Sequence, residues 1–241
     1  MKYERNHNLS VRLYKSKIFT LIYDKIAGKF AKAFLWNDLS TNFLNHIQDG
    51  GTILEIGAGS GLQAINNLEL RPDLKIIASD FSQQMLSMAK ENLIEEAAQN
   101  DKIAINQGNL SFVEANVMDL SQFKSQKFDG IYSMGAIKHF PEPLLALHQC
   151  INVLQSGGMM YFTDFCSDGS YFGTREIGKK LEIPFFLKFI ILPIIHFGIK
   201  KEAPCKDEVE SWRSELENSG TLRTVYSEGN SIFALIFTKN K

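Results

Sequence analysis

The chain has 241 residues, 44% of them hydrophobic and 22% charged, so it can bury a sizeable core and is neither collagenous nor wholly disordered. Lys and Arg (26) nearly balance Asp and Glu (27), which removes the broad positive field that gathers nucleic acid and sets that partner aside. Three cysteines, Cys150, Cys166 and Cys205, are an odd number without CxxC spacing; they argue for a reducing, cytoplasmic compartment and imply no metal site.

Residues 1–17 are polar and basic, where a secretory signal needs an apolar run of about 7 to 15 residues, so export by that route is not expected. Ile18, Phe19, Ile22, Tyr23, Ile26, Phe30, Phe34 and Leu35 then recur at helical spacing, predicting helices within 18–47 and an N-terminal helical lid over 1–47.

After the turn Asp49-Gly50-Gly51, the run Thr52–Ile56 is short, apolar and β-branched, and it stops at a glycine cluster followed by a helical stretch. A second apolar run, Leu74 to Ala78, ends at Ser79-Asp80, and Ser82 is the expected N-cap of the helix behind it. Strands over 112–117, 128–134 and 159–165, with a helix over 142–154 behind Pro141, continue the alternation. That order implies a parallel sheet covered by helices on both faces.

The C-terminal end differs. A helix over 207–219 stops at Gly220, and strands near 221–227 and 231–238 are joined by Glu228-Gly229-Asn230, which fits an antiparallel hairpin at the sheet edge. The chain therefore divides into the lid, a core over 48–166, an apolar insertion over 167–204, and a C-terminal helix and hairpin over 205–241 that complete the core.

Glu55-Ile56-Gly57-Ala58-Gly59-Ser60-Gly61 sits where a strand hands over to a helix, so backbone N–H groups there can face a ligand that a Cβ would obstruct. A tight turn without a ligand reads the same way. Asp80 supplies context: it closes the second strand about 20 residues on, where a carboxylate accepts bonds from ribose hydroxyls, a reading favoured over a mere cap of the next helix. The dinucleotide fingerprint needs glycine where this chain has Leu62. Glu55 adds a second carboxylate that repels a pyrophosphate and suits a cationic, amino-bearing ligand, a demand that S-adenosylmethionine meets.

At ILEIGAGSG and ASDFS the sequence resembles the class I S-adenosylmethionine-dependent methyltransferases, over roughly residues 20–165. The resemblance implies a Rossmann-like, seven-stranded, mostly parallel α/β sheet whose antiparallel last strand lies inside the final hairpin. It further implies that Glu55, Gly57, Ala58, Gly59, Ser60 and Gly61 hold the methionine moiety and ribose edge, that Asp80 holds the ribose hydroxyls, and that Phe81 and Met85 meet the adenine face. Phe81 and Met85 also fit plain core packing. Asn116 stands where the family places an adenine-reading acid, beside Val117, whose N–H can donate to a ring nitrogen.

By the same resemblance Ser133 and Met134 border the reactive methyl. The family's amide- and exocyclic-amine-methylating members carry [DN]PP[YF] at that place, and this chain has SMGA. His139, in AIKHFPEP, resembles a segment of quinone-biosynthesis methyltransferases and is the candidate general base, against a helix-capping reading. Tyr23, in YDKIAGKF, resembles a lid aromatic of the same relatives, and Tyr171 and Phe172 open the insertion as further acceptor contacts.

Within the insertion, the apolar stretch 183–199 would be roughly 25 Å long as a helix, short of a hydrocarbon core of about 30 Å. It also interrupts one sheet between two of its own strands, which excludes spanning. A lid over a lipophilic substrate, a face resting on a bilayer with lysines at headgroup level, and a homodimer contact all fit it. The expected activity is methyl transfer to a hydrophobic small molecule: a quinone precursor, a phenolic or polyketide-like compound, or a lipid headgroup. An NAD(P)-dependent oxidoreductase and a non-catalytic cofactor-binding scaffold are the alternatives.

Overall fold

The computed structural model describes residues 42–179, 185–197 and 202–241. Most of the segment 1–47 expected to form an N-terminal helical lid, with Tyr23, lies outside the described residues. The last part of that segment, Phe43 to Ile47, docks on the sheet through Phe43, whose ring lies 5.5 Å from that of Tyr132 and 6.4 Å from that of Tyr161.

In chain order the elements are β1 (Thr52–Ile56), α1 (Leu62–Leu70), β2 (Lys75–Asp80), α2 (Gln83–Ala97), α3 (Asp101–Asn106), β3 (Leu110–Glu114) and β4 (Phe128–Met134). Then come α4 (Pro143–Val153), β5 (Leu154–Phe165), α5 (Tyr171–Lys179), α6 (Phe185–Phe197), α7 (Lys206–Leu216), β6 (Gly220–Tyr226) and β7 (Ile232–Lys239).

The seven strands form one sheet in the order β3-β2-β1-β4-β5-β7-β6. β1 to β5 pair in parallel, while β7 runs antiparallel to both β5 and β6 and is enclosed between them. The antiparallel inner strand expected of the hairpin is thus present, and Gly229 and Asn230 turn it with positive φ values of 66° and 52°.

The strands are apolar on both faces, as helix-covered parallel strands must be. On one face Ile53, Ile76, Ala78, Tyr132 and Tyr161 pack with Ala64, Ile65 and Leu68 of α1. On the other, Leu54, Ile56, Ile131, Met160 and Phe162 pack with Leu147 and Cys150 of α4 and Val209, Trp212 and Leu216 of α7. Neighbouring residues on one strand go to opposite cores, which is the two-residue side-chain period.

Local chemistry sets several boundaries. Ser82 caps α2, its hydroxyl accepting from Met85 N–H at 3.4 Å, and Asn100 caps α3 by accepting from Lys102 N–H at 3.0 Å. Pro143 opens α4, where its missing N–H costs nothing. Lys239 of β7 donates to the Ile151 and Leu154 carbonyls at 2.7 and 2.8 Å, satisfying the C-terminal end of α4.

Two strands depart from the sequence reading. β3 covers 110–114 rather than 112–117, because the Asn116 side-chain oxygen accepts from Met118 N–H at 3.0 Å and turns the chain out of the sheet. β5 begins at Leu154 rather than 159, with a register shift against β4 between Phe128 and Gly130.

Candidate cofactor-binding site

The strand order reverses between β2-β1 and β4-β5, so a crevice opens past the carboxyl ends of β1 and β4, the place where open α/β sheets take their ligands. The glycine loop 57–61 lies there. Gly57 N–H and Ala58 N–H both donate to the Ser79 carbonyl, at 2.8 and 2.9 Å, which ties the loop to β2.

Gly57 and Gly61 have φ values of 72° and 77°, where a side chain is strained. Space is denied as well: a Cβ at Gly57 would fall 2.5 Å from Ala136 Cβ, and one at Gly61 would fall 2.7 Å from Ala89 Cβ. These glycines let the chain approach its own neighbours. In doing so, Gly57 brings the loop after β1 against the loop after β4.

Asp80 is the fastener of this corner. One carboxylate oxygen accepts from Gly59 N–H and the other from Ser82 N–H, each at 2.9 Å. Burial raises the affinity of this carboxyl for a proton, and the backbone N–H groups of Ser82, Gly59 and Phe81 oppose that shift. Each carboxylate oxygen has a second lone pair, so Asp80 can still accept from ribose hydroxyls while it holds the loop.

Glu55 is fully buried on β1, and burial pushes its carboxyl up to about 8, with the nearby charge of Asp80 adding to the shift and the Tyr132 hydroxyl opposing it. Its Oε2 has no hydrogen-bond partner among the described residues. A buried acceptor without a donor is costly, and it fits an ammonium or another cationic donor better than it fits phosphate.

Around these two acids the remaining candidates fall into place unevenly. Phe81, directly after Asp80, exposes half of its ring, whereas Met85 is buried with its methyl 3.3 Å from where a Gly59 Cβ would stand. Ala115 N–H donates to the Asp80 carbonyl at 3.0 Å, which brings Asn116 and Val117 to the same corner. Asn116 is exposed, with its side-chain oxygen engaged by Met118 N–H.

On the other side, Ser133 is buried and its hydroxyl donates to the Ile56 carbonyl at 2.8 Å, locking β4 to β1. Met134 ends β4 half-buried. His139 closes the single turn Ile137–His139, and its Nδ1 lies 4.0 Å from a carboxylate oxygen of Glu202. Glu142 is the N-cap of α4, and its side chain makes no cap bond. Tyr171 and Phe172 begin α5 with exposed rings, and Tyr171 stacks on Phe197 at 6.0 Å.

Two features escape the sequence reading. Lys138 and Asp164 form a buried ion pair, Nζ to Oδ1 3.1 Å, that fixes the loop after β4 to the end of β5. Glu202 approaches His139 from 63 residues further along the chain. An acid inside the apolar run Met159–Phe165 was the available signal for the first, since buried charges need partners. Nothing local marks the second.

A doubly wound sheet, a glycine loop after β1 and an acid closing β2 define the nucleoside-binding class of α/β proteins. Within that class, residues 54–162 match the family model of the methyltransferase domain, and it is the class I, S-adenosylmethionine-dependent methyltransferases that this core resembles. An uncharacterized chloroplastic methyltransferase of Arabidopsis thaliana is 31% identical over 117 residues, which are 48% of this chain and 32% of that protein. A ubiquinone biosynthesis O-methyltransferase of Xanthomonas campestris is 22% identical over 54% of this chain and 50% of its own length. The chain thus spans about a third to a half of these curated relatives.

Solved structures share the fold over nearly the whole chain. The plantazolicin methyltransferase BamL, in complex with a triazolic desmethylPZN analog and S-adenosylhomocysteine, gives a TM-score of 0.66 at 13% identity, over 98% of this chain and 96% of its own. An S-adenosylmethionine-dependent methyltransferase of Methanococcus maripaludis gives 0.66 at 22% identity over 94% of each. S-adenosylmethionine is the cofactor of this class. The Glu55 oxygen, without a hydrogen-bond partner among the described residues, and the spare lone pairs of Asp80 fit its ammonium and ribose.

Proposed function

We propose that the chain transfers the methyl group of S-adenosylmethionine to a hydrophobic small molecule: a quinone precursor, a phenolic or polyketide-like compound, or a lipid headgroup. The observation that carries this reading is the pair of buried carboxylates, Glu55 and Asp80, flanking the glycine loop at the strand-order reversal.

In this reading Glu55 accepts from the cofactor's ammonium and Asp80 from the ribose. The backbone of Gly57, Ala58, Gly59, Ser60 and Gly61 lines the methionine side, and the exposed ring of Phe81 offers a stacking face to adenine, with Met85 packed beneath the loop. Val117 and Asn116 read the adenine edge, while Ser133 and Met134 wall the methyl-transfer chamber. Tyr23, Tyr171 and Phe172 supply apolar contacts to the acceptor.

The bound cofactor supplies an electrophilic methyl on a sulfonium. The chain has then to align the acceptor and, for a hydroxyl, to remove its proton. With the cofactor bound, His139 Nε2 would take the proton of the acceptor hydroxyl, and Glu202, facing Nδ1, would stabilise the imidazolium produced. The acceptor class draws support from the ubiquinone-biosynthesis relatives, which are O-methyltransferases.

Calorimetry with S-adenosylhomocysteine tests the cofactor, and methyl transfer from labelled S-adenosylmethionine to a phenolic acceptor panel tests the reaction. Binding and turnover are expected. Tighter binding of NAD(H) than of S-adenosylhomocysteine would overturn the reading.

A further inference from the structure

α6 is 13 residues long and carries no acid, and its rise of about 1.5 Å per residue makes it about 20 Å, too short to cross a hydrocarbon core of about 30 Å. None of the described helices is long and apolar enough to span a membrane. Yet α6 does not bury its aromatic rings. Phe185, Phe186, Phe189 and Phe197 are 74%, 67%, 67% and 61% exposed.

At about 100° per residue, these phenylalanines fall within an arc of roughly 120° on one side of the helix. Leu192 lies outside the arc and is buried, packed so closely on α5 that a Cβ at Gly178 would fall 2.6 Å from its Cδ1. α6 is therefore anchored on α5 by Leu192, by His196, whose Nδ1 lies 3.0 Å from Thr174 Oγ1, and by the stacking of Phe197 on Tyr171, and it presents the rings of Phe185, Phe186 and Phe189 to solvent, with Phe197 exposed at its end. Exposed apolar patches of this kind mark an interaction surface.

Charge decides what covers it. The stretch 179–201 contains Lys179, Lys180, Lys188, Lys200 and Lys201 against one acid, Glu182, although Lys179 is paired with Glu176 at 2.6 Å. A two-fold contact between copies would set this basic segment against itself, since such an interface joins identical patches. An anionic lipid surface turns the same charge into attraction while it covers the rings.

We infer that the Phe185, Phe186, Phe189 and Phe197 face of α6 rests on an anionic bilayer as a peripheral, interfacial contact. The segment comes after the carboxyl end of β5, on the rim of the sheet where the glycine loop opens. Docking there would give the cleft access to amphiphiles dissolved in the bilayer, a consequence for acceptor choice that rests on the methyltransferase reading above. The docking itself does not.

The test is co-sedimentation of the full chain with vesicles of phosphatidylcholine, with and without phosphatidylglycerol. Binding is expected to the anionic vesicles and to weaken as salt rises. Phe185→Ser with Phe189→Ser should lower partitioning at least about tenfold, since each ring loses its apolar transfer. Because both rings already face solvent, the variant's thermal midpoint and S-adenosylhomocysteine affinity should match wild type. Lys188→Glu should reduce the preference for anionic vesicles. Folded wild-type protein that ignores every vesicle, a double variant that binds undiminished, or a dimer that the double variant dissolves without any vesicle binding would each overturn the inference.

Discussion

Lys138 and Asp164 form an ion pair sealed from solvent, with Nζ 3.1 Å from Oδ1 and side-chain exposures of 4% and 0%. Asp164 also accepts from the Lys138 backbone N–H at 3.1 Å, and Lys138 Nζ donates to the Gly135 carbonyl. The pair determines how the loop after β4, with His139 in it, sits on β5. Removing one member of such a pair strands the other, at about 3–5 kcal/mol, whereas replacing both with apolar groups is close to neutral. Asp164→Ala is therefore expected to lose about that much stability in urea unfolding, and Lys138→Met with Asp164→Leu to recover most of it. An Asp164→Ala protein as stable as wild type would show that Lys138 is solvated.

Asp80→Asn should separate a structural latch from a binding contact. An asparagine oxygen can take the N–H of Gly59 or Ser82, but its amide NH2 faces the other donor. Loss of a charge-assisted bond of about 1.5–3 kcal/mol predicts a fall of about 10- to 100-fold in S-adenosylhomocysteine affinity by calorimetry. Unchanged affinity would leave Asp80 with the loop alone.

Glu55 predicts a pH dependence. Its folded carboxyl titrates near 8 against about 4.3 in an unfolded chain, so between those values the folded state holds a proton that the unfolded state has released. Stability then falls as pH rises through that window, by about 1.4 kcal/mol per pH unit from this group, and levels off above 8. Glu55→Gln should flatten that decline in thermal midpoint. A cationic ligand favours the ionised carboxyl, so cofactor binding near pH 7 should release a proton in wild type and release less in Glu55→Gln, as read by calorimetry in buffers of different ionisation enthalpy.

His139→Ala is expected to lower kcat about 10²- to 10⁴-fold on a hydroxyl acceptor while sparing S-adenosylhomocysteine affinity. Glu202→Gln should lower kcat less, because it acts through the imidazole. A His139→Ala protein with full turnover would reduce the residue to packing.

Much of this architecture is legible along the chain because its signals are local. The β-branched run at Thr52–Ile56, the glycines at 57, 59 and 61, the acid closing β2 and the Ser82 cap each act over a few residues. Where sequence and structure part, a side chain competes with the backbone: Asn116 ends β3 early by taking a backbone N–H for itself. α3 is invisible in the sequence because a six-residue helix with one buried residue, Ile103, leaves almost no periodic signal.

The sequence alone determined the fold class and the position of the glycine loop, since apolar period and turn chemistry are written in neighbouring residues. Only the tertiary structure decided why Gly57 has to lack a side chain, that Glu55 is buried with an oxygen that no described residue bonds, and that Asp164 and Glu202 stand against Lys138 and His139. The physical reason is distance along the chain: such contacts join residues 26 to 79 positions apart, and their energies exist only after the sheet has closed around them.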